Sequence, residues 1–346
     1  MSEGMMDVRT GGGPGGVPKG PVFVLGAHKS GTTLLRNLLD GHPGIHAVPL
    51  EVHFSHVQGL PSLYPRRMML RDGGTERQGR IARMMGIMRS YHEHGDERAD
   101  AHLQGRFDLP AAERHLLEHM GASAGADDLY HYVDAISVGL GLPKRQPHQI
   151  IVEKSVDHME HAWWLRSLFP DARFVFMVRD PYANLASFRR FIANGHRFPS
   201  LIQPLRTLEF AFHHASLYQA TLPGLQVVRY EDLISDPEGT MRQLAAFIGL
   251  SWDPILLEPT TLGRAWSGNS STGRSFQGVA HVGSGEGRKG VRPVESMLIE
   301  RSTLPARLHE FGYTRMPVVN AWRPERGESF KTYLRNRLYR IYADGA

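Results

Sequence analysis

A short apolar run leads directly into a glycine-rich turn and then into a helix near the start of this 346-residue chain. The run is Pro21–Leu25, the turn is Gly26–Thr33 and the helix is predicted over Leu34–Asp40. A strand, a glycine loop and a helix N-terminus in this order direct backbone N–H groups and the positive end of the helix dipole at one point. The turn also contains one lysine and three hydroxyl side chains, so the segment predicts a site for a phosphate-bearing ligand.

The loop has the glycine spacing of a nucleotide-hydrolase phosphate loop but not its lysine. Gly26 and Gly31 are five positions apart, and the pattern G-x-x-x-x-G-K-[ST] requires lysine at the next position. Thr32 stands there instead, and the lysine lies upstream as Lys29. In an ATPase that missing lysine contacts the β- and γ-phosphates. Ordinary ATP chemistry is therefore not favoured, although a P-loop-like kinase or NTPase acting on ATP is kept as the alternative.

Apolar runs alternate with helical patterns along most of the chain. This alternation predicts an α/β protein with a P-loop-like three-layer fold, in which helices flank a central and mostly parallel sheet. The predicted strands are Pro21–Leu25, His42–Val48, Gln149–Glu153, Arg173–Arg179 and Leu225–Tyr230. The main predicted helices after the first are Glu76–His92, Pro110–Met120, Asp127–Gly139, His158–Leu168, Tyr182–Ile192, Leu205–Gln219, 236–248 and Val294–Phe311.

Composition and segment character suggest one main domain with two tails. Residues 1–20 are glycine-rich and predict a disordered tail. Residues 21–320 are the predicted domain, with a helical insertion at about 55–148. Residues 321–346 are basic and aromatic and predict a C-terminal helix. The chain has no cysteine and no apolar run long enough to span a bilayer, so a cytoplasmic protein is expected. The net charge of +5 suits an anionic ligand, but the basic residues are scattered, which does not favour nucleic-acid binding.

A second cationic segment follows the clearest predicted strand. Arg179 ends the run Arg-Phe-Val-Phe-Met-Val-Arg, and Asp180-Pro181 then opens a helix that carries Ser187. Ligands of open α/β sheets bind at the carboxyl ends of strands, and a guanidinium can hold a phosphate bidentately. This segment, together with a basic residue before Ser-Gly-Thr-Thr, resembles the sulfotransferase superfamily, which uses 3′-phosphoadenosine-5′-phosphosulfate (PAPS) and releases 3′-phosphoadenosine-5′-phosphate (PAP).

The resemblance implies a set of donor-binding residues. It assigns the glycine loop to the 5′-phosphosulfate and the Arg179 segment to the 3′-phosphate. The element Val-Arg-Tyr-Glu-Asp-Leu and the later glycine-rich segment also match the family, where a tyrosine contacts the cofactor and a late loop closes over the nucleotide. The implied donor-binding residues are Lys29, Ser30, Gly31, Thr32, Thr33, Arg179, Ser187, Tyr230, Ser284 and Arg288.

The catalytic base is predicted from the segment after the second strand. Glu51-Val-His53-Phe resembles the Glu-x-His-Phe segment of glycosaminoglycan sulfotransferases, and the tyrosylprotein branch places a glutamate in a similar region. Glu51 is therefore the candidate base that deprotonates the acceptor, and His53 is the alternative because another branch uses histidine. Glu153-Lys154-Ser155 also resembles the Glu-Lys-[Ser/Thr] element of the sulfotransferases, although Val156 replaces the usual proline. This resemblance implies that Lys154 orients Glu51 or the acceptor.

The acceptor is expected to carry a hydroxyl or an amine, and the Glu-x-His-Phe resemblance inclines the expectation toward a carbohydrate. The 19 histidines form no H-E-x-x-H pattern, so no metal site is predicted. A non-catalytic nucleotide-binding module is the other class considered, and it would retain Arg179 without needing a carboxylate that faces the sulfate.

Overall fold

The computed structural model describes residues 20–61, 75–94, 103–193, 201–266, 268 and 286–316. The predicted N-terminal tail before residue 20, the C-terminal segment from residue 317 onward and the candidate phosphate contact Ser284 lie outside these ranges. The predicted central sheet and its flanking helices lie within them and are confirmed.

Five parallel strands form the central sheet in the order β2-β3-β1-β4-β5. They are β1 (Val22–Gly26), β2 (Ile45–Ala47), β3 (Ile150–Glu153), β4 (Arg173–Val178) and β5 (Leu225–Arg229). Each overlaps a predicted strand. Because all five run in the same direction, their carboxyl ends meet at one edge of the sheet, and β1 is the central strand of the five.

Successive residues of β1 face two separate cores, which explains why the strand is apolar throughout. Val22 and Val24 pack with the helices on one face of the sheet, whereas Phe23 and Leu25 pack into the larger core on the other face. The sheet is therefore the middle of three layers, as predicted.

Eleven α-helices lie within the described part of the chain. The helix after the loop, α1, covers Thr32–Asp40. The region before β3 contains α2 (Phe54–Val57), α3 (Arg77–Glu93), α4 (Leu109–His119) and α5 (Asp127–Leu140), and the last three agree with the predicted helices. The remaining helices are α6 (Ala162–Leu168), α7 (Pro181–Ala193), α8 (Ile202–Thr221), α9 (Tyr230–Ser235), α10 (Pro237–Ile248) and α11 (Pro293–Glu300).

Helix α10 shows how local sequence sets the helix bounds. The Asp236 side chain accepts a hydrogen bond from the Gly239 amide at 3.0 Å, and Pro237 occupies the first turn, where its missing N–H costs nothing. Gly249 ends the helix with φ of 86°, a left-handed conformation that glycine adopts without strain.

The single closing helix predicted over Val294–Phe311 is wrong. The structure has α11, which ends at Glu300, and then two short 3-10 turns over Leu304–Ala306 and Leu308–Phe311. Ser302 explains the break, because its Oγ donates to the Ile299 carbonyl at 2.6 Å and accepts from the Leu304 amide at 3.2 Å. These side-chain bonds compete with helical backbone bonds, and Pro305 lacks an N–H to continue the helix.

Three smaller boundaries also differ from the predictions. The helix predicted from His158 begins as a 3-10 turn over Val156–Glu160, and α6 starts only at Ala162. Tyr230, predicted as the last residue of a strand, is the first residue of α9. A small antiparallel hairpin of β6 (Thr260–Thr261) and β7 (Arg264–Ala265) also lies in a stretch for which no element was predicted.

Candidate functional site

The glycine loop after β1 has a tightly constrained backbone. Gly26, Lys29 and Gly31 have positive φ values of 138°, 63° and 95°. Ser30 is buried and its Oγ donates to the Ala27 carbonyl, which closes the turn. The loop therefore places Lys29 and the first amides of α1 at the carboxyl edge of the sheet.

The N-terminus of α1 can accept an anion. Gly31 is the N-cap, and no side chain caps the helix from that position. The first-turn amide groups, which include those of Thr32 and Thr33, have no partners within the helix because of helix geometry. Together with the helix dipole, these donors favour a negatively charged group.

The ring of Tyr230 packs directly against Gly31. A Cβ added at Gly31 would lie 2.4 Å from Cδ2 of Tyr230, which is closer than any real contact. Position 31 therefore needs glycine for two reasons, its left-handed backbone and the approach of the ring. The contact also places Tyr230 beside the loop, as predicted for a residue that touches the ligand.

We expect Gly31→Ala to lower the free energy of unfolding by about 2–4 kcal/mol, which combines the cost of the left-handed alanine with that of overpacking. Gly141 is a matched control, because its φ is 63° and a Cβ there meets nothing within 4 Å. Gly141→Ala should cost only about 1 kcal/mol. Urea unfolding of both variants makes the comparison, and equal losses would contradict the steric role of Tyr230.

Arg179 joins the second cationic segment to the loop. Its Nη1 donates to the Lys29 carbonyl at 2.8 Å, and its guanidinium lies 4.4 Å from the centre of the Tyr230 ring. The Nε of Arg179 is buried and has no hydrogen-bond partner among the described residues. A buried donor without a partner costs free energy, so this atom is suited to an acceptor oxygen supplied by a ligand.

Helix α7 supports the same corner of the site. Asp180 accepts a hydrogen bond from the Ala183 amide at 3.0 Å and so caps this helix. Asn184 donates to the His28 carbonyl at 3.1 Å, which ties α7 to the loop. Ser187 lies one turn further along the same face and is buried. The structure therefore brings Ser187 to the side of α7 that faces the loop.

Arg288 lies at this corner, but it contacts protein groups. Its Nε donates to Oδ2 of Asp180 at 2.7 Å, and its Nη2 donates to the Thr314 carbonyl at 2.7 Å. The guanidinium is also 4.9 Å from the centre of the Tyr182 ring. The sequence prediction did not include the pairing with Asp180, which ties the segment after residue 286 to the end of β4.

Glu51 and Lys154 form a buried ion pair on the other side of β1. The Nζ of Lys154 lies 2.5 Å from Oε1 of Glu51, and both residues are less than 10% exposed. Lys154 directly follows β3, and Glu51 lies four residues after β2. The backbone amide of Glu51 also donates to the Tyr91 hydroxyl at 3.3 Å. Of the two partners implied for Lys154, Glu51 or the acceptor, the structure shows the contact with Glu51.

Sequence reasoning named His53 but missed two buried groups behind it, Asp157 and His158. The Nε2 atom of His53 is 3.8 Å from Oε2 of Glu51. The Nδ1 atom of the same ring is 2.5 Å from Oδ1 of Asp157. The run Lys-Ser-Val-Asp-His directly after β3 is the signal that could have identified them, because polar residues at a strand's carboxyl end point to a site.

The pair of Glu153 and His158 lies beneath this cluster. The two side chains are fully buried and 2.7 Å apart. Burial by itself lowers the pKa of His158, but the charge and hydrogen bond of Glu153, with the nearby carboxylates of Asp157 and Glu51, raise it overall. His158 therefore stabilises the negative charge that collects around the end of β3.

One cluster in the described ranges has the composition of a metal site. Ligand atoms of Glu51, His53 and Asp157 lie within 4.8 Å of one another. The Lys154 ammonium, 2.5 Å from Glu51, already supplies a positive charge to this cluster. The donor set is therefore explained by ion pairing, and no metal is needed to account for it.

No helix in the described ranges is long and apolar enough to cross a membrane.

Comparison with known proteins gives one family. The family model described as "Sulfotransferase family" matches residues 21–254, more than half of the chain. A protein-tyrosine sulfotransferase 1 from Danio rerio is 25% identical over 250 residues, which cover 70% of this chain and 57% of that protein. An omega-hydroxy-beta-dihydromenaquinone-9 sulfotransferase from Mycobacterium bovis is 25% identical over 255 residues, which cover 66% of this chain and 63% of that protein. The chain thus spans about 60% of these relatives' length.

A solved structure agrees on the fold. The sulfotransferase domain of the Synechococcus PCC 7002 olefin synthase superposes with a TM-score of 0.53 at 20% identity, covering 87% of this chain and 96% of that domain. At this identity the similarity establishes the architecture alone.

Proposed function

The chain belongs to the sulfotransferase family, and on this premise we propose that it transfers a sulfuryl group from PAPS to a hydroxyl or amine of an acceptor. The observation that carries the proposal is the hydrogen bond from Arg179 to the Lys29 carbonyl at 2.8 Å. It joins the two segments that carry Lys29 and Arg179, at the ends of neighbouring strands, as needed to hold one donor that bears phosphates at both ends. PAPS is such a donor.

In this proposal the loop residues Lys29 to Thr33 hold the 5′-phosphosulfate with their amides and hydroxyls. Arg179 and Ser187 hold the 3′-phosphate, and the buried Nε of Arg179 finds its acceptor there. Tyr230 lies against both the loop and Arg179, which supports a contact with the nucleotide.

The late segment closes the donor site in this proposal. Arg288 and Ser284 serve as further phosphate contacts. Because Arg288 is paired with Asp180, it can contact a phosphate only by sharing its guanidinium between that carboxylate and the phosphate. This assignment is therefore supported less directly than that of Arg179.

The chemical step needs a base, charge stabilisation and alignment. PAPS supplies the sulfuryl group, and the sulfur–oxygen bond to its phosphate breaks as the acceptor oxygen or nitrogen attacks in line. Glu51 accepts the acceptor's proton. Lys154 orients Glu51 through the 2.5 Å contact, and Lys29 stabilises the negative charge on the departing phosphate oxygen. Catalysis thus comes from positioning and electrostatics, without a covalent enzyme intermediate.

The competing classes fit less well. A kinase or NTPase that acts on ATP lacks support, because Thr32 replaces the phosphate-loop lysine and the family match is to sulfotransferases. A non-catalytic nucleotide-binding module gives no reason for the Glu51–Lys154 pair beside the loop.

The acceptor class is proposed from the relatives. The two relatives are named for protein tyrosine and for an omega-hydroxy-dihydromenaquinone, which supports a hydroxyl acceptor. Neither name supports the carbohydrate expected from the sequence. We also propose that residues 21–320 form the sulfotransferase domain, with acceptor contacts from the insertion at 55–148, whereas the cytoplasmic location stays a prediction.

The proposal is tested by incubating the full chain with ³⁵S-labelled PAPS and a panel of acceptors without added metal. The panel contains a tyrosine peptide, a long-chain alcohol, a phenol, an amine and a disaccharide. Label is expected in a hydroxyl or amine acceptor with release of PAP. Turnover of γ-labelled ATP that depends on magnesium, with no transfer from PAPS, would instead support the kinase or NTPase alternative.

A further inference from the structure

His53 is held by the end of β3 through both its backbone and its ring. Its backbone amide donates to Oγ of Ser155 at 3.0 Å, and its Nδ1 lies 2.5 Å from Oδ1 of Asp157. The residue adopts φ 47° and ψ 45°, a left-handed conformation that costs a non-glycine residue about 1–3 kcal/mol. The surrounding contacts therefore hold His53 in one strained orientation.

The contact with Asp157 fixes which ring nitrogen carries a proton. A carboxylate only accepts hydrogen bonds, so the group that faces Asp157 must be Nδ1–H. Both side chains are buried, with 5% and 1% of their surface exposed, so water does not compete for the bond. Ser55 donates to the other oxygen of Asp157 at 3.3 Å, away from the His53 contact.

The remaining ring nitrogen then faces Glu51. The Nε2 of His53 lies 3.8 Å from Oε2 of Glu51, whereas the 2.5 Å contact of Lys154 is with Oε1. An unprotonated Nε2 can accept a hydrogen bond from a protonated Glu51 but not from the carboxylate. Nε2 is therefore placed to receive a proton that Glu51 has taken up.

We propose that Asp157 is a positioning residue that holds His53 in the Nδ1–H form, so that Nε2 takes up the acceptor's proton through Glu51. The proposal rests on the function proposed above. As the acceptor oxygen bonds to sulfur, its proton passes to Oε2 of Glu51 and onward to Nε2 of His53. The electron pair of the broken bond stays on PAP, Asp157 remains ionised beside the imidazolium, and the proton later returns to water.

The charged groups around His53 come from several elements. The carboxylates of Asp157 and Glu51 lie beside the ring, and the basic groups near the cluster are His56 on α2 and the Lys154 ammonium. The buried pair of His158 and Glu153 lies behind the cluster. Asp157 is the carboxylate in hydrogen-bond contact with the ring, so its replacement isolates the positioning effect.

Asp157→Asn tests the proposal with little change of shape. The amide oxygen of the new side chain can still accept a hydrogen bond from Ser55, and its NH₂ group then faces His53. Because an NH₂ group donates, Nδ1 of His53 must accept, and the ring proton moves to Nε2. We expect kcat to fall by about 10–100-fold and the Kd of PAP to stay within twofold. The pH–rate profile of the variant should also differ from that of the wild type, because the proton relay then lacks the Nδ1–H form of the ring.

The matched control is Ser55→Ala, which removes the other hydrogen bond to Asp157 but leaves the His53 contact. It should retain kcat within about threefold, because the His53–Asp157 contact that sets the tautomer is untouched. Unchanged kcat and pH profile in Asp157→Asn would overturn the proposal, as would equal losses in the two variants.

A second measurement does not depend on activity. ¹⁵N NMR of histidine-labelled protein, with the His53 signal assigned from its loss in His53→Gln, reports the tautomer directly. Wild type should show Nδ1–H and Asp157→Asn should show Nε2–H; an Nε2–H form in wild type overturns the proposal even if the variant does not fold. Inactive wild type with the expected tautomer would contradict the proposed function and leave the positioning role of Asp157 supported.

Discussion

Glu51→Gln is expected to lower kcat by about 10²–10⁴-fold, the usual contribution of a positioned base, while the Kd of PAP stays near the wild-type value. Glutamine has the same shape but cannot take up a proton. Its amide oxygen can still accept from the Lys154 ammonium, which lies 2.5 Å from Glu51, so the fold around the pair should persist. Steady-state kinetics with PAPS and calorimetry with PAP measure the two quantities separately.

Two controls make this result specific to the site. Glu118→Gln on the exposed side of α4 makes the same chemical change away from the sheet edge and should leave kcat unchanged. His53→Gln should lower kcat less than Glu51→Gln if Glu51 is the first proton acceptor. The reverse order would assign the base to His53, and normal turnover by Glu51→Gln would remove Glu51 from that role.

Arg179→Ala is expected to weaken PAP binding by about 10–100-fold, because hydrogen bonds between charged groups contribute about 1.5–3 kcal/mol. The change removes the guanidinium that bonds the Lys29 carbonyl and lies over the Tyr230 ring. Loss of this link also loosens the loop, which adds to the effect. Calorimetric titration with PAP gives the Kd directly.

Arg242 offers a matched control for this substitution. Its guanidinium also lies over an aromatic ring, 4.1 Å from the centre of Trp252, and pairs with Glu238 on the surface of α10. Arg242→Ala should leave PAP affinity unchanged. Arg179→Lys keeps the positive charge but cannot form a bidentate pair of hydrogen bonds with a phosphate, so an intermediate Kd for PAP is expected. Wild-type affinity in Arg179→Ala would contradict the phosphate assignment.

Much of the fold and part of the site could be predicted from the sequence because the signals are local. The strand, loop and helix around Gly26–Thr33 are contiguous, and Arg179 follows an unmistakable strand. Parallel topology then brings these two segments together, since β1 and β4 are neighbours. The contact of Lys154 with Glu51 was one of two possibilities that the family resemblance implied, and it forms because each residue follows a strand that ends at the same edge.

The rest depends on contacts between distant parts of the chain. His53 and Asp157 are 104 positions apart, and no periodicity or motif indicates that one ring and one carboxylate will meet. The pairing of Arg288 with Asp180 spans 108 positions. The break after α11 arises from the side-chain bonds of Ser302, which an apolar pattern does not report.

The strand order also bears on how the two substrates meet. Because β1 lies between β3 and β4, the side that carries Glu51 and the side that carries Arg179 flank the loop without overlapping. Under the proposed function, acceptor and nucleotide can then occupy the protein at the same time. Such a layout favours a ternary complex and sequential kinetics over a ping-pong scheme, since neither molecule must leave before the other enters.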